Sequence, residues 1–142
     1  MKVKEIMTRT PAVRTPETSL QEVAKTMVGR DCGAVPVVRT AGTAGLIGII
    51  TDRDMVVRGI AEGKNPLTLT AAACMTSPAT TIREDASLEE CTNLMESKKI
   101  RRVAVVDASG ALVGIVAQAD VARHASPKDA GELVRDVSAP GR

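Results

Sequence analysis

The chain has 142 residues, of which 44% are hydrophobic but none is Phe, Tyr or Trp, so any core must consist of aliphatic side chains and Met. Its formal net charge of +2, from 19 basic and 17 acidic residues, is too balanced to indicate binding to nucleic acid or a membrane surface. No apolar run approaches the roughly 20 residues that span a bilayer, and three cysteines without CxxC spacing disfavour a disulfide framework or a zinc site. We therefore expect a cytoplasmic protein without a signal peptide.

The sequence contains two copies of one unit. Three pairs of matching segments are separated by 68 positions: Met-Thr at 7–8 and 75–76, Ser-Leu at 19–20 and 87–88, and Val-Pro-Val-Val at 35–38 with Val-Ala-Val-Val at 103–106. A fourth pair, Gly-Ile-Ile at 48–50 and Gly-Ile-Val at 114–116, is separated by 66 positions, so the first copy has two extra residues in its loop at 42–45. Four matches in one order indicate an internal repeat.

The residues of each copy predict the same order of elements, β-α-β-β-α. In the first copy an extended segment around Val13 leads to a helix that begins with Ser19 and Glu22, a capping box whose side chains satisfy free amides. Short β-rich runs then precede a second helix. The predicted apolar face of the first helix contains Leu20, Val23, Ala24 and Met27. The remaining predicted elements are strands at 35–38, 46–50, around Ile82, 103–106 and 112–116, and helices at 52–61, from Ser87 onward, and at 118–123.

The repeat divides the sequence into four predicted segments. These are repeat 1 with its lead-in at 1–66, a linker at 67–74, repeat 2 at 75–128 and a C-terminal tail at 129–142. A single copy of about 55 residues buries too little apolar surface to be stable alone, so we expect the two copies to share a core. From 126 onward we expect at most a short helix at 132–137 and a partly mobile tail.

A hydroxyl and a carboxylate stand three residues apart where the second strand of repeat 1 turns into its helix. Thr51 and Asp54, in Gly-Ile-Ile-Thr-Asp-Arg-Asp at 48–54, could cap that helix, which contributes about 1 kcal/mol to folding. They could equally bind a ligand, because a carboxylate accepts hydrogen bonds from both hydroxyls of a ribose, and helix-start amides favour a phosphate. Repeat 2, with Gly-Ile-Val-Ala-Gln-Ala-Asp at 114–120, keeps the carboxylate as Asp120 but has Ala117 in place of the hydroxyl.

The duplicated order and these motifs resemble the cystathionine-β-synthase (CBS) domain pair, and in particular the stand-alone bacterial CBS-pair proteins. The resemblance covers residues 1–128 and rests on the Met-Thr openings, the helix-starting Ser-Leu pairs, the Val-Pro-Val-Val strand and the Gly-Ile-Ile-Thr-x-x-Asp motif. It implies an α+β fold in which two β-α-β-β-α repeats pack sheet to sheet with pseudo-two-fold symmetry. It also implies a disc-shaped homodimer that acts on an effector protein and senses a ligand without catalysing a reaction.

The implied ligand carries an adenosyl group and is regulatory, so no cofactor is required. The resemblance points to AMP, ADP or ATP, with S-adenosylmethionine or an NAD-type nucleotide as alternatives, bound in the cleft between the repeats. Basic residues of repeat 2, Arg101 and Arg102, are expected to reach across to its phosphates. Otherwise they are a solvated basic strand edge. The other residues implied for this site are Val13, Arg14, Val35, Pro36, Thr51, Arg53 and Asp54.

A second cleft would use Asp120, Ile82 and Val103. It lacks a hydroxyl at Ala117, and Gly33 with Ala34 stands where repeat 2 has its two arginines. We therefore expect one competent nucleotide site per chain and a degenerate second cleft, which is empty or holds a ligand without phosphates.

Other classes of function have less support in the sequence. A structural or protein-interaction module that has kept the fold and lost affinity stays open as an alternative. An enzyme is not expected, since the sequence has no nucleophile–His arrangement, no paired metal ligands and no GxxxxGK[ST] loop. Nucleic-acid binding would rest only on dispersed Lys and Arg. His124 is expected at a helix end and Cys91 as a buried thiol.

Overall fold

The computed structural model describes residues 1–40 and 45–140, so the loop with the two extra residues lies outside it except for Gly45. Within these ranges the chain forms six strands and six α-helices, with single 3-10 turns at Val3–Glu5, Ile60–Glu62 and Pro66–Thr68. The strands are β1 Thr8–Arg9, β2 Ala34–Val38, β3 Leu46–Thr51, β4 Thr81–Arg83, β5 Arg102–Val106 and β6 Leu112–Ala117. The helices are α1 Leu20–Arg30, α2 Asp52–Arg58, α3 Ala71–Cys74, α4 Leu88–Lys98, α5 Gln118–Ala122 and α6 Pro127–Val137.

The chain folds into two compact units. The repeat-1 unit is Pro11–Ala79, and the repeat-2 unit combines Met1–Thr10 with the chain from Thr80 onward. The division in space therefore differs from the division predicted along the sequence. The first ten residues belong with repeat 2, and residues 67–79, most of them predicted as a linker, belong with repeat 1. The predicted α+β fold with two repeats is confirmed.

The central hairpin is built in the same way in both units. Strands β2 and β3 pair antiparallel, as do β5 and β6. Each pair has a register shift near the end of its first strand, between Val37 and Val38 in β2 and between Val105 and Val106 in β5. In both hairpins the last strand residue before the following helix faces the start of the partner strand, Thr51 opposite Ala34 and Ala117 opposite Arg102. The duplication read from the sequence therefore also holds in the backbone pairing.

The predicted first strand of repeat 1 is shorter than expected. In repeat 2, β4 runs parallel to β5 over three residues, but in repeat 1 the pairing is a single parallel bridge between Arg14 and Val37. Two prolines shorten the pairing, because proline has no amide hydrogen to donate. In repeat 2 the Glu84 amide donates to the Val106 carbonyl (2.9 Å) and the Ala104 amide to the Thr80 carbonyl (3.3 Å), and repeat 1 has Pro16 and Pro36 at these two donor positions. Repeat 1 thus keeps the contact but not the strand.

Each Met-Thr segment opens one repeat in the sequence but pairs with a strand of the other repeat. Segment 7–8 packs on β6, where Thr8 pairs with Ile115. Segment 75–76 packs on β3, where the Ile49 amide donates to the Thr76 carbonyl (3.0 Å) and the Thr76 amide donates back (2.8 Å). Each segment closes one edge of a hairpin. The four-stranded sheet therefore has the order β1-β6-β5-β4.

Both units have an aliphatic core, as the composition predicts. On α1, Leu20, Val23 and Met27 are buried as expected, but Ala24 is exposed and Thr26 is buried in its place. Burial of Thr26 is tolerated because its hydroxyl donates to the Glu22 carbonyl (2.9 Å). The repeat-1 core contains Leu20, Val23, Met27, Val35, Val37, Ile50, Ala71 and Cys74. The repeat-2 core contains Val3, Ile6, Met7, Ala86, Cys91, Met95, Val103, Val105, Val116, Val121, Leu133 and Val137.

The C-terminal segment forms a longer helix than predicted. The expected short helix at 132–137 is wrong, because α6 spans eleven residues and buries Leu133 and Val137. The expected mobility of the tail stays a prediction. Its start carries signals that the short prediction left out: the Ser126 hydroxyl accepts from the Asp129 amide (3.1 Å), and Pro127 occupies the first turn. No helix in the described part of the chain is long and apolar enough to cross a membrane.

We predict that Gly114→Ala destabilises the protein by about 1–3 kcal/mol, as expected for overpacking. A Cβ at this position would lie 2.8 Å from the Thr8 carbonyl oxygen and 2.6 Å from the Met7 sulfur. The free energy of unfolding from urea titration measures the effect. Gly131→Ala is the matched control, since a Cβ there meets nothing within 4 Å on a helix. This control should raise stability by up to about 1 kcal/mol. Equal effects of the two substitutions would contradict the prediction.

A cavity of about 430 Å³ between α4 and α6 is lined by several carboxylates, among them that of Glu96. Burial, then the neighbouring charges of Asp136, Glu132 and Asp129, raise the pKa of Glu96 above its ordinary 4.5. The folded state therefore binds the Glu96 proton more tightly than the unfolded state does. The stability that protonated Glu96 contributes is fully present below pH 4.5 and is lost as pH rises through the raised pKa. The lining side chains are Leu88, Glu89, Thr92, Asn93, Glu96, His124, Ala125, Ser126, Asp129 and Glu132.

We accordingly predict that Glu96→Gln raises the melting temperature at pH 7 and that its advantage over the natural protein shrinks as pH falls to 4. The neutral amide removes the repulsion that ionised Glu96 meets above its pKa. Thermal unfolding of both proteins across this pH range measures the difference. Glu17→Gln, an exposed change of the same chemistry in the repeat-1 unit, is the control. An advantage independent of pH would rule out the electrostatic explanation.

Candidate ligand-binding site

Thr51 and Asp54 meet at the junction of β3 and α2, which we call the repeat-1 junction (Thr51–Asp54). The Asp54 amide donates to the Thr51 hydroxyl oxygen (3.1 Å), and the Thr51 amide donates to Asp54 Oδ2 (2.9 Å). The two residues are therefore a reciprocal helix cap, one of the two roles predicted for them. The cap leaves part of the carboxylate available: Asp54 Oδ1 has no hydrogen-bond partner in the described part of the chain. An ionised carboxylate accepts on both oxygens, so capping and ligand binding are compatible here.

The aliphatic residues predicted for the site lie along one strand beside the junction. The Arg14 amide donates to the Pro36 carbonyl (3.1 Å), and the Val38 amide donates to the Arg14 carbonyl (2.8 Å). This places the half-buried Val13 next to β2. Val35 has no exposed surface and is part of the core, so its role here is structural.

The first arginines of the predicted site differ in how they are held. One Arg14 guanidinium nitrogen donates to the Val13 carbonyl (2.6 Å), which holds the half-buried side chain against its own strand. Arg53 is exposed, and its side chain forms no hydrogen bond with residues 1–40 and 45–140, while its backbone amide donates to Asp52 Oδ1 (2.9 Å). Arg53 is therefore the more adaptable cation beside Asp54.

Arg101 and Arg102 belong to the repeat-2 unit. Arg101 is exposed just before β5, and its carbonyl accepts from the Gln118 amide (2.8 Å). Arg102 is half-buried at the start of β5 opposite Ala117. Neither side chain forms an ion pair within the described residues. Their expected contact with a phosphate held by repeat 1 stays a prediction.

The repeat-2 junction (Ala117–Asp120) has the same backbone and different chemistry. Ala117 offers no hydroxyl, so only half of the cap is present: the Ala117 amide donates to Asp120 Oδ2 (2.8 Å). The other oxygen, Oδ1, accepts from an Arg123 guanidinium nitrogen at 2.5 Å. Both carboxylate oxygens are thus occupied from within the chain. Ile82 is half-buried on β4, and Val103 is fully buried in the core.

Sequence reasoning did not single out Arg123, although an Asp and an Arg three residues apart on a helix is a recognisable pair. It also missed Gln118, whose Oε1 is buried and has no hydrogen-bond partner in the described part of the chain. A buried acceptor without a donor costs about 1–3 kcal/mol. In the repeat-2 junction, therefore, both oxygens of Asp120 accept hydrogen bonds, while the side-chain oxygen of Gln118 accepts none from the described residues.

The Cys91 thiol and the His124 imidazole both interact with Asp120. Burial and the charge of Asp120 raise the pKa of Cys91 to about 11, so the group is a neutral thiol at pH 7. His124 Nδ1 donates to the Asp120 carbonyl (2.8 Å), near the end of α5 as expected. No group of three His, Cys, Asp or Glu among the described residues could hold a metal ion.

Similar proteins are known from bacteria and archaea. Hypoxic response protein 1 of Mycobacterium tuberculosis is 35% identical over 122 residues, which are 86% of this chain and 83% of that protein. An uncharacterised protein of Methanopyrus kandleri is 36% identical over 119 residues, 84% of this chain, but the chain spans only 60% of that protein's length.

Two solved structures with bound ligands are also similar. CBSX2 in complex with AMP, a protein of Arabidopsis thaliana, is 28% identical with a TM-score of 0.72, covering 87% of this chain and 94% of that one. The CBS domain pair of protein MJ0100, in complex with 5'-methylthioadenosine and S-adenosylmethionine, is 30% identical with a TM-score of 0.77 and the same coverage of both chains.

The family itself is identified by its sequence pattern. The pattern of the CBS domain matches residues 3–59 and again residues 71–127. The two matches include both junctions and both hairpins described above. Because they cover most of the sequence, the chain belongs to the CBS-domain family and carries a pair of CBS domains.

Proposed function

We propose that this protein is a regulatory module that binds an adenosyl ligand of the AMP, ADP or ATP class at the repeat-1 junction and does not catalyse a reaction. The observation that carries the proposal is the carboxylate of Asp54, which keeps Oδ1 without a partner in the described residues while Oδ2 caps α2. AMP in one similar CBS pair, and S-adenosylmethionine with 5'-methylthioadenosine in another, support the ligand class.

Each part of such a ligand finds suitable chemistry in the repeat-1 unit. Asp54 accepts from ribose hydroxyls, and Thr51 Oγ1, which already accepts from the Asp54 amide, can donate its own proton to a phosphate. Arg53 supplies an exposed positive charge one residue away. Since the chain has no aromatic residue, the base must lie on aliphatic surface such as that of the half-buried Val13. Arg101 and Arg102 are the proposed additional phosphate ligands.

The proposal extends to a cytoplasmic homodimer that passes the ligand signal to an effector protein. Three apolar side chains on α2 and the turn after it are unusually exposed, Val56 at 53%, Val57 at 44% and Ile60 at 56%. We call them the α2 apolar face and propose that a second copy of the chain covers it. The same exposed face is the observation that favours the alternative, a protein-interaction module without a ligand.

We predict that AMP binds the natural protein with one site per chain and that Asp54→Asn abolishes this binding. The amide oxygen of Asn can still accept from the Thr51 amide, so the helix cap survives, but the adjacent NH₂ group cannot accept from a ribose hydroxyl. Calorimetric titration with AMP, ADP, ATP and S-adenosylmethionine measures affinity and stoichiometry. Thermal unfolding verifies that the variant folds.

Asp120→Asn is the matched control, since it makes the same change at the equivalent position of repeat 2. It should leave the AMP site intact. Loss of binding in Asp120→Asn with retention in Asp54→Asn would refute the assignment to repeat 1. Absence of binding for every compound in the panel would leave the interaction module as the better description.

We predict that Ile60→Asp shifts the protein from dimer to monomer in analytical ultracentrifugation. When the second copy covers the α2 apolar face, the carboxylate introduced at position 60 would lose its hydration without gaining a partner. Val28→Asp is the control, because Val28 is an apolar residue that is 83% exposed on a different helix, α1, and is not part of the α2 apolar face. A dimer that survives Ile60→Asp, or one that Val28→Asp disrupts equally, would place the interface elsewhere.

A further inference from the structure

We propose that Arg123 closes the repeat-2 junction by occupying Asp120, and that this contact, more than the missing hydroxyl, limits the chain to one nucleoside site. The inference rests on the proposed function, because it concerns which of two equivalent junctions can accept ribose hydroxyls. Its basis is the 2.5 Å contact between Arg123 Nη2 and Asp120 Oδ1.

The two junctions differ at the position of this arginine. Counting from the matched motifs, Val57 stands in repeat 1 where Arg123 stands in repeat 2. The neighbouring cation of repeat 1, Arg58, points elsewhere: its Nη1 donates to the carbonyls of Met75 (2.7 Å) and Cys74 (3.3 Å). In repeat 1, therefore, no arginine of the described chain bonds to the carboxylate of Asp54.

The environment of Asp120 makes the contact effective. The Asp120 side chain is only 14% exposed, whereas that of Arg123 is 66% exposed. A carboxylate with little access to water gains more from a charged donor than an exposed one does, because water competes less for it. A ribose would have to compete with the guanidinium at Oδ1, since the Ala117 amide already donates to Oδ2.

The pairing of Asp120 with Arg123 would disfavour binding of any nucleoside at the repeat-2 junction, with or without a phosphate. With the Arg123 guanidinium on Oδ1 and the Ala117 amide on Oδ2, vicinal hydroxyls must compete with a charged donor for Asp120, even in a nucleoside that carries no phosphate. Removing the arginine would leave a partly buried anion with one amide donor, and the hydroxyls of a ribose are donors that could satisfy it. The missing Thr hydroxyl and missing cations affect phosphate binding, so a phosphate-free probe isolates the effect of Arg123.

The test uses adenosine and the full-length chain in an Asp54→Asn background, in which the repeat-1 junction is silenced. We expect Arg123→Val, which copies repeat 1, to raise adenosine affinity by about tenfold, the order expected for freeing a hydrogen bond to a charged group. Arg123→Lys retains a charge that can pair with Asp120 and should show a smaller gain. Adding Asp120→Asn to Arg123→Val should cancel the gain, and thermal unfolding verifies folding of each variant.

The outcomes separate this inference from the proposed function. Unchanged or weaker adenosine binding in Arg123→Val overturns the inference, and weaker binding would show that Arg123 contacts the ligand. Failure of the otherwise natural protein to bind AMP overturns the proposed repeat-1 site, while a gain in Arg123→Val that depends on Asp120 would still support the inference. If no variant binds adenosine, Arg123 is not what closes the junction.

Discussion

Each unit depends on one close backbone contact between a Met-Thr segment and a glycine of a strand. At Gly114 the Thr8 carbonyl approaches so near that a Cβ would lie 2.8 Å from its oxygen, and at Gly48 the Thr76 carbonyl would lie 2.7 Å away. Only glycine permits this approach without a shift of backbone. The contact closes one edge of each hairpin with a segment that is distant in sequence: segment 7–8 precedes the repeat-2 hairpin, and segment 75–76 follows the repeat-1 hairpin. Consequently residues 1–10 are required by repeat 2 and residues 67–79 by repeat 1.

That contact fixes the strands that present the functional side chains. With one edge of the hairpin closed, the antiparallel register is set, and the last strand residue is held opposite the start of its partner. Thr51 and Ala117 occupy this place, and the carboxylates of Asp54 and Asp120 follow in the first turn of the next helix. In both junctions one carboxylate oxygen accepts the amide of the last strand residue (2.9 and 2.8 Å). The fold therefore delivers two carboxylates in equivalent positions, and the surrounding side chains decide what each can do.

The sequence could predict the structural features that depend on neighbouring residues, such as helix starts and the junction motif. Serine followed by glutamate three residues later marked the starts of α1 and α4, and the Gly-Ile-Ile-Thr-x-x-Asp motif placed Thr51 and Asp54 together. One missed feature has a local signal, since the Ser126 cap with Pro127 in the first turn marks the start of α6. The other missed features have no capping or turn pattern in the sequence. The extent of α6 is set by burial of Leu133 and Val137 in a core whose other members come from residues 3 to 121. Thr26 replaces Ala24 in the α1 interface because its hydroxyl bonds within the helix. Neither the pairing of Met75-Thr76 with β3 nor the orphan oxygen of Gln118 has a local signature.

The unequal junctions illustrate how a duplicated fold can carry two chemistries. Because backbone pairing and the carboxylate are kept in both copies, the difference must come from a few side chains: a hydroxyl or a methyl at the cap, and Val57 or Arg123 one turn later. The arginine is the more consequential change. A missing hydroxyl removes one donor, but a guanidinium on Asp120 converts a free acceptor into a satisfied one and contributes to holding α5 at the same time. An arginine at this position therefore pairs with the carboxylate of repeat 2 and makes it a weaker acceptor for a ligand, whereas Asp54 in repeat 1 has no such partner among the described residues.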